Sequence, residues 1–213
     1  MTLYGYWRSS AAYRVRIALN IKNIEAAHKS VHLVNNGGEQ HSPEYVTLNP
    51  QQLVPALVLD NGEVLTQSLA IIEYLEQAFP VPRLLPTDAV TQAKVRALAG
   101  TIACDIHPLN NLRVLQYLTG TLGVDDEAKT EWYRHWINIG FSAIEPQLAI
   151  SAGQYCFGDT ITLADVCLVP QVYNARRFNM DLTAFPHIVR IADSCNMQPA
   201  FAAAAPENQA DAS

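Results

Sequence analysis

The chain has 213 residues, 49% of them hydrophobic and 16% charged, and a formal net charge of −6. That length fits one domain or two small ones, with ample apolar material for a packed core. The acidic balance argues against nucleic acid or an anionic membrane as the main partner, yet leaves room for a local arginine cluster that holds an anionic substrate.

Residues 1 to about 79 read β-α-β followed by β-β-α. Leu3-Tyr4-Gly5-Tyr6-Trp7 predicts a short strand. It runs through Arg8-Ser9-Ser10 into a helix expected over residues 11–22. A second strand is expected over 29–33, and Asn35-Asn36-Gly37-Gly38 makes a loop after it. Leu53-Val54-Pro55-Ala56-Leu57 enters a third strand over 56–59. Asp60-Asn61-Gly62 is a tight hairpin signal leading to a fourth. Gln67-Ser68 opens a helix with apolar residues at Leu69, Ile72, Leu75 and Phe79, a helical spacing. This order is thioredoxin-like, without the redox C-x-x-C.

The proline-studded run 79–86 reads as a linker. Beyond it the patterns are helical almost throughout. Residues 89–119 predict one long helix or two stacked segments kinked near Pro108, and 126–150 another that Pro146 bends. Thr162-Leu163-Ala164-Asp165 reads as a capping box, a structural helix start. The Ala-rich stretch from Ala202 is expected to fray. Cys104, Cys156, Cys167 and Cys195 show no zinc-ligand spacing and no disulfide framework, so no metal is expected. They read as buried thiols of a cytoplasmic protein. The opening strand leaves no room for a signal peptide. No apolar run approaches the roughly 18 residues of a membrane span.

Three junctions carry chemistry. A helix N-terminus has unpaired N–H groups and partial positive charge, so it stabilises an anion and lowers a thiol's pKa. Ser9 or Ser10 is placed there to donate a hydrogen bond to a thiolate, or simply to cap the helix. A cis Val54-Pro55 bond would expose the Val54 backbone for pairing with an extended peptide ligand. Gln67 and Ser68 offer an amide, a hydroxyl and free N–H groups that suit an α-carboxylate and its amine, or again an ordinary cap.

With these residues in place the chain resembles the zeta class of glutathione transferases over nearly its whole length. The likeness is carried by residues 8–19, Leu48-Asn49-Pro50 and 54–57, then 67–76 and 82–86. It continues in 105–112, Gly158-Asp159, 162–165, 168–172 and Ala175-Arg176-Arg177-Phe178. It implies a thioredoxin-like α/β glutathione-binding domain over 1–80, an all-helical substrate-side domain over 87–213, and a homodimer. It also implies glutathione as cofactor and cis–trans isomerisation of a dicarboxylic keto acid, maleylacetoacetate or alternatively maleylpyruvate. A transferase acting on small α-halo acids, or a non-catalytic glutathione-binding stress protein, are the other readings. The thiol would add to the alkene, permit rotation and leave.

By the same resemblance Ser9 is first choice as thiolate partner and Ser10 second. Val54, Pro55, Gln67 and Ser68 hold the tripeptide. Gln40 and His107 match family positions near the glycyl end and the cleft, and Asn111 and Arg113 match the adjacent helical stretch, with His107 equally readable as a solvated or core histidine. Arg8 and Arg177 are the carboxylate anchors, since guanidinium forks fit carboxylates. Arg176 and Arg113 are weaker candidates, and a surface charge is the plain reading of each. The class usually reads Ser-Ser-Cys where this chain has Ala11, so that cysteine's role does not transfer. The stretch 107–111 is similar to the maleylpyruvate isomerase branch, which also lacks the cysteine.

Overall fold

The structure is a computed structural model that describes residues 1–212, with the side chain of Asn36 outside the description. It divides into two compact units, residues 1–83 with 198–213, and residues 84–197.

The first unit is built on a four-stranded sheet. β1 (Thr2–Gly5) leads into α1 (Ser10–Ile21), β2 (Ala27–Ser30), α2 (Pro43–Leu48), β3 (Ala56–Val58), β4 (Val64–Thr66) and α3 (Ser68–Ala78). The strand order is β2-β1-β3-β4. β1 and β2 are parallel, and β3 is antiparallel to both its neighbours. This is the thioredoxin-like arrangement. α1 crosses between the parallel strands and buries residues 12–19. α3 packs on it through Ile71, Ile72 and Leu75, each no more than 1% exposed. Phe79, expected on that apolar face, follows the helix end and is exposed. Gly62 turns the hairpin with φ 88, a conformation glycine adopts freely. The second strand sits at 27–30 rather than 29–33, and all four of its residues are exposed.

A buried ion pair braces this unit. Lys22 at the end of α1 meets Glu76 of α3 at 2.7 Å, and the Lys22 ammonium also donates to the carbonyls of Phe79 (2.7 Å) and Pro82 (2.9 Å). The expected fraying of the tail is corrected. α10 (Pro199–Ala204) packs on α1 and buries Phe201 and Ala204. The C-terminal residues thus belong to the first unit, and the helical unit is shorter than 87–213 at that end.

The second unit is helical: α4 (Ala89–Gly100), α5 (His107–Leu109), α6 (Leu112–Gly120), α7 (Asp126–Ser151), α8 (Leu163–Arg177) and α9 (Pro186–Asn196). A π-helical stretch, Thr101–Ile106, joins α4 to α5. The helix runs through Pro108 and breaks at Asn110 and Asn111, so the expected kink falls two residues later. Ile106 fits over Gly140, where an added Cβ would lie only 2.1 Å from the Ile106 Cδ1. α8 is buried along most of its length and forms the centre of the unit. Its capping box is present. The Asp165 carboxylate accepts from the Thr162 N–H, the Thr162 hydroxyl and the Cys156 N–H, each at 2.8 Å. Cys156, Cys167 and Cys195 are buried as expected, but Cys104 is exposed on the π-helical stretch. No helix among the described residues is long and apolar enough to cross a membrane.

Candidate active site

The sheet register collects the site of the first unit. β1 ends at Gly5, Ala56 begins β3 opposite Tyr4, and Thr66 ends β4 opposite Ala56. Ser30 ends β2 level with Gly5. The segments 7–10, 53–55 and 67–68, and the loop carrying Gln40, therefore leave the sheet at one end.

Ser9 is the N-cap of α1, and its Oγ accepts from the Ala12 N–H at 3.2 Å. A hydroxyl has two lone pairs and one proton. The cap occupies a lone pair and leaves the proton to donate outward, so capping and thiolate binding are compatible. Ser10 is the first helical residue and only 6% exposed.

Ser68 starts α3, and the same logic applies to it. The Arg14 Nη1 donates to its Oγ at 3.3 Å, which directs the Ser68 proton away from the guanidinium. Arg14 is 1% exposed, so a cation lies beneath the start of α3. Gln67, the N-cap, has φ 68 and ψ 116. A side-chain-bearing residue adopts such a conformation at a cost of about 1–3 kcal/mol, and it persists where surrounding contacts impose it, typically at ligand clamps.

Two separate sets of polar contacts, one at Gln67 and one at Gln40, involve the neighbouring residues Gln51 and Gln52. The Gln67 amide donates to the Gln51 Oε1 at 3.0 Å, and Gln52, next in the chain, has φ 56. Gln52 Oε1 lies 2.5 Å from the His41 Nδ1, and His41 Nε2 lies 3.0 Å from the Gln40 Nε2. Gln40 is buried, and its Oε1 has no partner among the described residues. A buried acceptor in that state suits a ligand N–H or a water.

Val54-Pro55 is cis, as is Val81-Pro82. Val54 lies outside the β1–β3 ladder, whose register begins at Ala56. The loop before it is fixed through the Leu53 carbonyl, which accepts from the Tyr45 hydroxyl (2.6 Å) and the Asn49 amide (2.7 Å). Burial pushes the Tyr45 phenol up to about 12, so it stays a donor at neutral pH. Arg8 rests on aromatic faces, 5.0 Å from the Trp7 ring and 6.0 Å from that of Tyr6, and reaches the Tyr6 hydroxyl at 3.4 Å.

In the second unit His107 lies on the short α5. Asn111 caps α6, its Oδ1 accepting from the Arg113 N–H at 3.2 Å, and the Arg113 side chain is exposed. Both sit at a bend anchored on α7. The Asn110 amide donates to the Tyr133 carbonyl at 3.0 Å, and the Trp132 indole to the Leu109 carbonyl at 2.8 Å. Tyr133 also connects this bend to Arg177. Its ring stacks on Phe178 at 3.6 Å, and its hydroxyl bonds the Arg177 side chain. Burial pushes the Tyr133 phenol up to about 12, with Arg177 opposing. Arg176 is held by Asp193 at 2.7 Å, a surface ion pair that accounts for it.

Sequence reasoning missed Arg14, His41, Gln51, Gln52 and Tyr133. Arg14 had a legible signal, since it lies one helical turn after Ser10 and so on the same face. The others are joined to the site by tertiary contacts that no local pattern announces.

A thioredoxin-like unit with a cis Val-Pro strand entrance, a strained Gln-Ser helix start and no redox cysteine pair, followed by an all-helical unit, defines a transferase of the glutathione-binding class. Residues 3–83 match the N-terminal domain model of glutathione S-transferases and 134–199 the C-terminal one. The chain belongs to the glutathione S-transferase family, in its zeta class. It is 57% identical over 213 residues to a probable maleylacetoacetate isomerase of Vibrio cholerae, covering 100% of this chain and 98% of that one. Its fold matches a solved bacterial zeta-class maleylpyruvate isomerase with a TM-score of 0.96 at 49% identity, covering all of both chains. A maleylacetoacetate isomerase of Methylobacterium extorquens, solved with bound malonate and glutathione, matches over all of both chains with a TM-score of 0.94 at 39% identity.

Proposed function

We propose that this chain is a glutathione-dependent cis–trans isomerase that converts maleylacetoacetate to fumarylacetoacetate in aromatic amino-acid and aromatic-acid catabolism. Glutathione fits the first unit. It carries two carboxylates, an amine, peptide N–H groups and a thiol, and the sheet end offers a group for each. Gln67, Ser68 and the cation Arg14 face the γ-glutamyl end, Val54 the central peptide and Gln40 the glycyl end. Ser9 faces the sulfur.

Bound glutathione supplies a thiol nucleophile whose addition makes the alkene bond rotatable and whose departure restores it as trans. The protein's part is electrostatic. Ser9 donates its outward proton to the sulfur position, and the N–H groups opening α1 add positive potential there. Arg8 in the first unit and Arg177 in the second are each a candidate anchor for a substrate carboxylate, since guanidinium forks fit carboxylates. His107, Asn111 and Arg113 are the second unit's own candidate contacts, carried on its bend. The observation that carries this reading is the Ser9 hydroxyl, held by Ala12 at the start of α1 with its proton free to donate.

Maleylpyruvate is the second reading, supported by the full-length likeness to the solved maleylpyruvate isomerase. A cytoplasmic homodimer completes the proposal, with an isologous contact between two copies. The test is turnover of purified maleylacetoacetate and maleylpyruvate, each with and without glutathione. Glutathione-dependent turnover of either identifies the substrate. No turnover of both, with conjugation of an α-halo acid instead, replaces the isomerase by a transferase.

A further inference from the structure

The C-terminal tail, expected to fray, grips the residues that precede Ser9. β1 ends at Gly5, so Tyr6 and Trp7 have no ladder to hold them. Their polar groups are held from α1 and the tail instead. Arg16 of α1, 4% exposed, donates through Nη2 to the Trp7 carbonyl at 2.9 Å and through Nη1 to the Tyr6 carbonyl at 3.4 Å. Its Nε donates to the Ala204 carbonyl of α10 at 3.0 Å. From the other side, the Asp211 carboxylate accepts from the Trp7 N–H at 3.1 Å and from the Ser30 hydroxyl at 2.8 Å. Trp7 is therefore held at both its N–H and its C=O.

The grip reaches Ser9 in one step, because the Tyr6 carbonyl that Arg16 engages also accepts from the Ser9 N–H at 3.0 Å. The tail is closed on itself by Gln209, whose amide donates to the carbonyls of Ala203 (3.0 Å) and Ala205 (2.8 Å). A cavity of about 30 Å³ lies between Arg16, His28 and Asp211, room for about one water. The groups facing Arg16 are the Tyr13 ring at 5.3 Å, His28 and Asp211. Burial pulls the Arg16 guanidinium down to about 10, so it remains charged at neutral pH.

We propose that Arg16 and Asp211 are positioning residues for the Ser9 hydroxyl, and that the C-terminal tail is an integral part of the thiol-activating site. This rests on the reading of Ser9 as the thiolate partner. A donor displaced by about 1 Å loses up to about a hundred-fold in rate, so a clamp two residues away sets the ionisation of the thiol.

The test uses Asp211→Ala, a chain shortened by residues 206–213, Arg16→Met and Arg16→Lys, with Ser9→Ala alongside. Three quantities are read: the pH profile of kcat/KM on the maleyl substrate, the ultraviolet thiolate absorption of bound glutathione, and the thermal midpoint. Asp211→Ala and the shortened chain are expected to shift the thiolate limb of the profile to higher pH and lower kcat/KM about ten-fold at neutral pH, with substrate KM nearly unchanged. Arg16→Lys is expected to recover part of what Arg16→Met loses. Should Arg16→Met not fold, Asp211→Ala decides. An unshifted profile with only a lower thermal midpoint overturns the proposal and leaves a structural strap. If Ser9→Ala shifts the profile and the tail variants do not, the clamp alone fails. If Ser9→Ala does not shift it either, the thiolate reading fails with it.

Discussion

The two units present polar groups in different ways. In the first, hydroxyls, amides and backbone N–H groups gather at one end of a sheet whose register fixes their spacing. Most are held by a second protein group, as Ser9 is by Ala12 and Ser68 by Arg14. In the second, the candidate residues are Arg177, exposed at a helix end, and a bend anchored on Trp132 and Tyr133. The first suits a ligand of fixed shape that must always be bound the same way. The second offers an exposed guanidinium and a bend held by packing across helices.

That contrast can be broken most severely at the scaffold. Glu76→Ala leaves the Lys22 ammonium buried without its carboxylate, and breaking such a pair costs about 3–5 kcal/mol. Denaturant unfolding should show this loss, and a change under about 1 kcal/mol would mean the pair does not brace the first unit. Ser9→Ala comes next. Loss of one charge-stabilising donor should cut turnover roughly ten- to a thousand-fold while glutathione affinity changes less. If Ser10→Ala has that effect instead, the roles of the two serines are exchanged.

Arg8→Met and Arg177→Met sharpen the contrast from the substrate side. Each should raise the KM for the dicarboxylic substrate and weaken discrimination against neutral analogues, leaving glutathione binding nearly intact. Unchanged KM in both would shift the anchoring role to Arg113, since Arg176 is engaged by Asp193.

The smallest effect concerns pH and the core of the second unit. Burial raises the Asp165 carboxyl above its ordinary 3.8, and the hydrogen bonds from Cys156 and Thr162 oppose this only in part. A raised carboxyl pKa means that, from 3.8 up to the raised value, the native protein binds more protons than the unfolded chain. Its contribution is then greatest below 3.8 and declines as pH rises through that window. Asp165→Asn should flatten this slope in unfolding measured against pH. An unaltered slope would show that Asp165 is not the group responsible.

Much of the first unit was legible because its signals are local. A strand running into Ser9-Ser10, a proline before a strand, Asp60-Asn61-Gly62 and Gln67-Ser68 each name a chain reversal or a helix start. The edge strand was placed two residues late at its start and three at its end because the apolar Val31 and Leu33 lie beyond the ladder, whose own residues 27–30 are solvated. The tail misled for a related reason. Its Ala-rich composition offers no large apolar side chain, but it continues a helix whose Phe201 is fully buried, and its chief contacts are to residues nearly two hundred positions away. In the second unit the largely helical pattern was legible, and the capping box was named by Thr162 with Asp165 three residues on. The π-helical stretch and the Tyr133 contacts could not, since both depend on packing across helices.

The central claim is that the sheet end of the first unit uses glutathione as a recycled nucleophile. It is tested most directly by following isomerisation of maleylacetoacetate by the purified protein while measuring free glutathione. Turnover should require glutathione, consume none of it, and fall at least ten-fold in Ser9→Ala. Turnover without glutathione, or glutathione lost in step with product, would contradict it.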